Sequence, residues 1–248
     1  MLLSVFWRRA SRCAQRKHRW FCWGSFRRAM AVLQNFQTFV FLDVETTGLR
    51  RDQPHVSELC LFAVHRFSLQ SVLLDLPNIP RLPRIIDKLV LCIDPQKPFI
   101  PAAEEITGLC NRTLEENCKS GFNKAVVEAV DGFLNRQAGP VCLVAHNGLD
   151  FDFPLLRAEL QQVGSDLPPN VGCLDTLLAF KDMEKSAHMR FRLGDLYYDF
   201  YEEEPAAAHS AEGDVVSLLL VFLARAPELM TWAALNACTW EQIQPMKI

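Results

Sequence analysis

Apolar residues are grouped along this chain into short runs that predict β-strands. Three of these runs cover Thr38–Glu45, Ser57–His65 and Ile85–Ile93. Runs of this length that are rich in β-branched and aromatic residues are typical of strands. We therefore expect three strands to open the domain as a meander.

The pattern changes to helical spacing after the third run. Gly121–Arg136 places its apolar residues three and four positions apart, which predicts an amphipathic crossover helix. The continuous apolar run Val141–Ala145 is typical of a parallel strand buried on both faces. Another helix is predicted at Phe153–Val163, with Asp152 at its N-cap and Pro154 in its first turn.

The last third of the chain adds a strand, a loop and helices. Val171–Asp175 is predicted to be a short edge strand before another helix, and the basic stretch Lys181–Arg192 has no apolar periodicity, which predicts a loop. Ala211–Ala226 and Pro227–Ala237 are predicted to be the final helices. The order of elements predicts an α/β fold, with a mixed five-stranded sheet flanked by helices.

Composition limits the class of protein. The chain has 248 residues, half of them hydrophobic, which is enough for one domain with one sizeable core. No apolar run reaches the roughly 18 residues that a membrane helix needs, so we expect no membrane partner. Nine cysteines are scattered without paired metal-ligand spacing, which favours reduced thiols in an intracellular protein.

Charge is distributed unevenly. Residues 1–30 hold eight Lys or Arg and no acid, and removing those charges from the net −3 leaves −11 for the rest. An acidic body argues against a broad nucleic-acid footprint and for local capture of a strand end. We interpret residues 1–35 as a basic, disordered leader and residues 36–248 as the folded domain.

The leader has two interpretations. Its Arg-rich, acid-poor composition fits a mitochondrial presequence, although it has no clean apolar face. The alternative is a disordered or rarely translated segment, with Met30 as the working start. We expect the protein in the nucleus or cytosol, and mitochondrial targeting by residues 1–30 stays open.

Five residues that lie far apart in the sequence carry the candidate chemistry. They are Asp43, Glu45, Asp152, His209 and Asp214. Asp43 and Glu45 are two positions apart on a predicted strand, so they share one face. Close carboxylates repel, and this raises the pKa of one of them unless a cation lies between them. Oxygen ligands suit Mg²⁺ or Mn²⁺, so the pattern predicts two-metal phosphodiester hydrolysis.

His209 is the candidate general base. It precedes the helix that carries Asp214, and a neutral histidine near pH 7 can accept a proton from the attacking water. Taken alone, His209 would more often be a surface histidine, and a lone aspartate more often a cap or a solvated charge. The prediction therefore rests on the whole set of residues.

Three segments contain these residues. Phe41–Leu49 reads FLDVETTGL, Ala145–Pro154 reads AHNGLDFDFP, and Ala208–Asp214 reads AHSAEGD. Together they closely resemble the three motifs of the DEDDh exonucleases of the DnaQ-like superfamily. Within that group the chain resembles the three-prime repair exonucleases along nearly all of residues 38–246, and most closely their shorter, second paralogue.

The resemblance implies a fold and an activity. The fold is RNase H-like, and the activity is a Mg²⁺-dependent 3′-to-5′ DNA exonuclease that releases nucleoside 5′-monophosphates from single-stranded or mispaired 3′ ends, in DNA repair or degradation. It also implies two Mg²⁺ ions, for which Mn²⁺ can substitute, and a homodimer. By the same resemblance Asp43, Glu45 and Asp214 ligate the metals, Asp152 completes this metal-binding set as its fourth carboxylate, and His209 activates water.

The resemblance further implies which residues bind the terminal nucleotide. Apolar and aromatic side chains in this set can stack on or wedge beside a base without reading sequence. The implied set is Glu45, Thr46, Leu49, Ile106, His146, Phe151 and Asp214. Phe151 stands where the family usually has tyrosine, so the stacking face is kept and the hydroxyl group is lost.

Two questions stay open from the sequence. Lys185, Arg190 and Arg192 are candidates for contact with the DNA backbone, but a solvated basic linker explains their charges equally well. The alternatives to a DNA exonuclease are an RNA 3′-to-5′ exonuclease of the same superfamily and a catalytically silent nucleic-acid-binding homologue. The intact carboxylates and His209 argue against the silent homologue.

Overall fold

The computed structural model describes residues 34–71, 80–184 and 190–248. These residues form a single mixed sheet flanked by helices. Its strands are β1 (Thr38–Thr46), β2 (Val56–His65), β3 (Asp87–Cys92), β4 (Val141–Ala145), β5 (Gly172–Asp175) and β6 (Cys238–Thr239). The strand order is β3-β2-β1-β4-β5-β6. Residues 1–33 of the predicted leader, and Lys185 of the predicted basic loop, lie outside the described residues.

The first three strands form the predicted meander. β1 pairs antiparallel with β2, and β2 pairs antiparallel with β3. β4 lies parallel to β1 on its other side, and β5 is parallel to β4. The predicted mixed sheet, with a buried parallel strand at residues 141–145, is therefore confirmed.

The predicted count of five strands, and the edge position given to residues 171–175, are wrong. β6 pairs antiparallel with β5, so that Gly172 lies opposite Thr239 and Cys173 opposite Cys238. A strand of two residues has no alternation for a sequence pattern to detect. Its partner strand also lies more than 60 residues earlier in the chain, so no local turn sequence indicates the pairing.

Nine helices surround the sheet in the described ranges. They are α1 (Arg66–Gln70), α2 (Pro101–Thr107), α3 (Asn111–Glu116), α4 (Lys124–Asn135), α5 (Asp152–Gln162), α6 (Thr176–Met183), α7 (Leu193–Tyr201), α8 (Ala211–Ala224) and α9 (Ala226–Asn236). Of the part of the chain that is described, no single helix is long and apolar enough to cross a membrane. Helices α8 and α9 reach the length and hydrophobicity of a membrane span only when they are taken as a pair, and that pair is bent by 97°.

Three helical details differ from the prediction. Asp152 is the first residue of α5 and not its N-cap, which is Phe151, because the Asp152 carboxylate is buried and receives a hydrogen bond from the backbone of Val44. The predicted loop at residues 181–192 is partly helical, since α6 continues to Met183 and Arg192 is the N-cap of α7. The short helices α1, α2, α3 and α7 were not predicted, because a helix of one to three turns gives only a brief periodic signal.

Alternate residues of β1 are buried on opposite faces of the sheet. Phe39 and Phe41 contact Phe222 of α8, with ring centroids 5.6 and 5.1 Å apart. Val40 and Leu42 belong to the second core, which includes residues of α4 and α5. The sheet is thus covered on both faces, and the α8 side is the one that leads to the functional residues.

Candidate active site

The aromatic face of β1 becomes acidic at the carboxyl end of the strand. Phe41 packs on Phe222, and the next two side chains on the same face are Asp43 and Glu45. α8 covers this face, and its first turn carries Asp214 to the acidic end. The strand and the helix therefore bring together three of the four carboxylates predicted at the metal site.

Hydrogen bonds at the start of α8 fix the position of Asp214. The N-cap Ser210 accepts a hydrogen bond from the N–H of Gly213 at 3.2 Å. Glu58 of β2 accepts one from the N–H of Ala211 at 2.9 Å. N–H groups in a first helical turn have no partner within the helix, and a carboxylate there is also favoured by the helix dipole. The sheet thus holds the helix end directly.

Asp43, Glu45 and Asp214 form a compact set of oxygen donors. One carboxylate oxygen of each lies within 4.8 Å of the others. Burial raises the pKa of Asp43 well above its usual range, and repulsion from Asp152 and Asp214 raises it further. Burial and repulsion from Asp214 raise the pKa of Glu45 to about 7. A hard divalent cation fits this donor set, because it offers the charge that the carboxylates lack.

Asp152 is not among the three clustered carboxylates. Its side chain is 4% exposed at the start of α5. Burial, with repulsion from Asp175 and Glu45, raises its pKa to about 7. Asp152 therefore adds negative charge to the site from a buried position, and its predicted role as a metal ligand stays a prediction.

Glu58 is a fifth acid at the site, one that the sequence prediction missed. It lies directly opposite Glu45 in the register of β1 and β2. Its charge raises the pKa of both Asp43 and Glu45. A lone glutamate inside the apolar run of β2 was the available signal, but its position beside the site depends on the strand register.

His209 lies on the loop just before α8. It is exposed, lines the same cleft as Asp43, and has a φ of 69°, in the left-handed region. Its backbone N–H donates to Oδ2 of Asp214 at 3.1 Å. The main chain of His209 is thus joined to a candidate metal ligand, and the predicted role of its imidazole as a general base stays a prediction.

Gly213 allows this loop to pack closely on α8. A Cβ atom at this position would lie 1.8 Å from the carbonyl oxygen of Ala207. Any other residue would push the loop, including His209, away from the helix. No local sequence pattern signals this requirement, because the close approach depends on the loop's tertiary position.

Asp43 and Asp214 line a cleft of about 820 Å³. Arg190 and Arg192 line it together with Asp43, His209 and Asp214. Both arginines therefore have the location that contact with a bound phosphate backbone needs.

His146 also lines the cleft, but both of its ring nitrogens have protein partners. Nδ1 lies 2.9 Å from Oγ1 of Thr176, and Nε2 lies 2.8 Å from the carbonyl oxygen of Phe191. Burial lowers the pKa of His146 to about 4. The ring therefore connects β4 to the chain between the two arginines, and hydrogen bonding to a substrate would compete with these contacts.

Most of the residues predicted to hold the terminal nucleotide lie outside the lining of this cleft, which includes only His146 and Asp214 of that set. Leu49 and Ile106 are more than half exposed, and Phe151 is partly exposed. Arg50 donates to both the carbonyl oxygen and the carboxylate of Asp150. This ion pair joins the residue after Leu49 to the residue before Phe151, so the two predicted base contacts lie on connected segments.

Thr46 and Ile106 are positioned by the backbone around the end of β1. The hydroxyl group of Thr46 donates to the carbonyl oxygen of Gly48 at 2.7 Å. Ile100, the N-cap of the helix that carries Ile106, donates its N–H to the carbonyl oxygen of Thr47 at 2.9 Å. Thr46 and the helix that carries Ile106 are thus anchored at the end of the strand that carries Asp43.

Comparison with known proteins agrees with this geometry. Residues 40–222 match the RNase_T family model, described as an exonuclease. "Three prime repair exonuclease 2" of Homo sapiens is 50% identical over 225 residues, covering 88% of this chain and 95% of the relative. The protein of the same name from Mus musculus is 49% identical over 220 residues, covering 86% of this chain and 93% of the relative.

Two solved structures share the fold at lower identity. The nuclease domain of 3′hExo, described as a DEDDh family member bound to rAMP, has a TM-score of 0.62 at 11% identity, covering 82% of this chain and 97% of that one. E. coli ExoI in complex with single-stranded DNA has a TM-score of 0.56 at 20% identity, covering 79% of this chain and 42% of that one. These structures show the shared fold, and half-identity to the repair exonucleases over most of the chain establishes that it belongs to the three-prime repair exonuclease family.

Proposed function

We propose that the protein is a Mg²⁺-dependent 3′-to-5′ DNA exonuclease that acts on single-stranded or mispaired 3′ ends. The observation that carries this proposal is the set of three carboxylates with His209 at the adjacent loop. The relatives that are half identical to this chain are named repair exonucleases. The products are nucleoside 5′-monophosphates, and the role is DNA repair or degradation.

Each group has a defined task in this proposal. Asp43, Glu45 and Asp214 hold two divalent ions, for which Mn²⁺ can substitute, and Asp152 supports them with buried charge. The bound ions supply positive charge that offsets the charge developing on the scissile phosphate. His209 accepts the proton of the attacking water, since its ring lies in the cleft.

The absence of sequence preference follows from the apolar residues. Leu49 and Ile106 expose apolar surface, and Phe151 offers an aromatic face. Such surfaces hold any base by stacking or wedging. The terminal nucleotide therefore binds among these residues, while Arg190 and Arg192 neutralise the backbone of the remaining strand.

An RNA exonuclease is the second candidate, because 3′hExo shares the fold and is described as bound to rAMP. Matched DNA and RNA strands with a 5′ label separate the candidates. We expect a ladder of shortened DNA products, release of nucleoside 5′-monophosphates by mass spectrometry, and much slower loss of RNA. Asp43→Asn is the inactive control. Faster loss of RNA would support the second candidate, and binding without cleavage would support a silent homologue.

The proposal includes a homodimer and a compartment. β3 is the last strand on its side of the sheet, and Val90 on it is 39% exposed. Pairing of two such edges would cover main-chain groups that otherwise promote aggregation. Light scattering after size exclusion tests the dimer. A reporter fused to residues 1–37 tests the nuclear or cytosolic location, and mitochondrial import of that reporter would contradict it.

A further inference from the structure

Helix α7 directs its tyrosines to two different environments. Tyr197 and Tyr201 are buried with their ring centroids 5.1 Å apart, and the Tyr201 hydroxyl group donates to the carbonyl oxygen of Leu220 at 2.7 Å. Tyr198 is 50% exposed and lines the same cleft as Asp43. The first two tyrosines are explained by packing, whereas packing does not explain a half-exposed aromatic ring in the cleft.

The charges around Tyr198 restrict which part of a single-stranded DNA can approach it. The cleft lining contributed by α7 and the residues that follow it includes three acids, Asp195, Asp199 and Glu204. These carboxylates repel phosphates, whereas Arg190 and Arg192 in the same cleft attract them. A strand in the cleft is therefore stabilised when its backbone follows the arginines and its bases face α7.

The expected course of the bound DNA strand also runs through this cleft. Leu49, Ile106 and Phe151, which the proposed function assigns to the terminal nucleotide, do not line it. Asp43 and Asp214, which hold the divalent ions beside the scissile phosphate in that function, do line it. The rest of the strand therefore leaves the carboxylates through the cleft and passes α7.

We propose that Tyr198 is a stacking platform for a base upstream of the 3′-terminal nucleotide. This proposal rests on the proposed function, because it needs a single strand at the carboxylates. An aromatic ring binds the face of any base, so the contact adds affinity without sequence preference. It makes the protein favour strands long enough to reach α7 over short oligonucleotides.

A protein and DNA double-mutant cycle tests this proposal. Wild type, Tyr198→Ala and Tyr198→Phe are titrated into a 5′-labelled single strand in Ca²⁺ buffer, and the length of the strand is checked by gel. One abasic site is then moved base by base from the 3′ end. Phe67→Ala is the matched control, because Phe67 is 67% exposed on α1 and does not line the cleft.

We expect Tyr198→Ala to raise Kd roughly five-fold or more on the intact strand, the range of one base–aromatic contact. Tyr198→Phe and Phe67→Ala stay near wild type. An abasic site at one internal position removes the difference between wild type and Tyr198→Ala. The proposal is wrong if no abasic site removes that difference in Kd, or if only an abasic site at the 3′-terminal nucleotide removes it. It is also wrong if Tyr198→Phe raises Kd as much as Tyr198→Ala does. A wild-type protein that binds no strand would contradict the proposed function instead.

Discussion

The two halves of the site are held in different ways. Asp43 and Glu45 lie on a central strand, and Asp214 lies in a helix whose first turn is bonded to Glu58. His209 lies on an exposed loop that a backbone hydrogen bond and a close approach to α8 hold in place. The carboxylate half is thus preorganised by the scaffold at the cost of charge repulsion, whereas the loop half depends on a few local contacts.

The largest expected effect is loss of the carboxylate half. We expect Asp43→Ala to lower DNA cleavage by at least about three orders of magnitude, because charge stabilisation by bound metal is worth several kcal/mol. Circular dichroism should show an intact fold, since little core volume is removed. Glu128→Ala is the control, because Glu128 is an exposed acid on α4 that does not line the cleft. Undiminished cleavage by folded Asp43→Ala protein would contradict the two-metal mechanism.

The same comparison predicts a different loss in the loop half. His209→Ala should lower kcat by roughly two to four orders of magnitude, as expected for a general base, with little change in metal affinity. The N–H that donates to Asp214 belongs to the main chain and remains in the variant. Calorimetric titration with Mn²⁺ measures the metal affinity. A collapse of that affinity would show that His209 is a metal ligand.

The loop can also be displaced without touching a reacting group. We expect Gly213→Ala to lower kcat by about 100-fold, because the new Cβ would clash with Ala207 and shift His209, and small misplacements have effects of this size. Gly132→Ala is the control, since a Cβ there meets nothing within 4 Å. The control should gain about 1 kcal/mol of stability from the helix propensity of alanine. Full activity of Gly213→Ala would show that the loop tolerates displacement.

Sequence patterns predicted the carboxylate half more completely than the loop half. A strand's two-residue period is local, so the sequence alone places Asp43 and Glu45 on one face. The place of Glu58 beside Glu45 depends on strand register, and the need for Gly213 depends on where a loop folds back. β6 was missed for the same reason, because its pairing with β5 is a long-range contact of two residues.

A smaller effect, on DNA affinity, is expected where the cleft contacts the phosphate backbone of the DNA strand. Replacing Arg190 and Arg192 by alanine should weaken single-strand binding equally for all sequences and lower the slope of log K against log salt by about 0.7 per lost phosphate contact. Turnover at saturating DNA should be kept. Replacing the exposed Arg112 and Arg136, which do not line the cleft, is the charge-matched control. An unchanged slope would identify the basic segment as a solvated linker.

The smallest effect concerns the charge repulsion within the carboxylate half. Without metal, the folded-state pKa of Asp152 is about 7, above its ordinary value of 3.8. The folded protein therefore binds this proton more tightly than the unfolded chain does. The resulting stability is fully present below about pH 4 and is lost as pH rises through about 7. Asp152→Asn mimics the protonated group and should remove this part of the pH dependence.

Melting temperatures between pH 5 and pH 8, with EDTA and with Mg²⁺, measure this effect. In EDTA the wild type should lose more stability with rising pH than Asp152→Asn does, so that the variant melts a few degrees higher at pH 8. Added Mg²⁺ should reduce this gap, because bound cations offset the repulsion among Asp43, Glu45 and Asp214. Equal pH profiles in EDTA would mean that the scaffold holds its acids without electrostatic strain, and the contrast with the loop half would then rest on geometry alone.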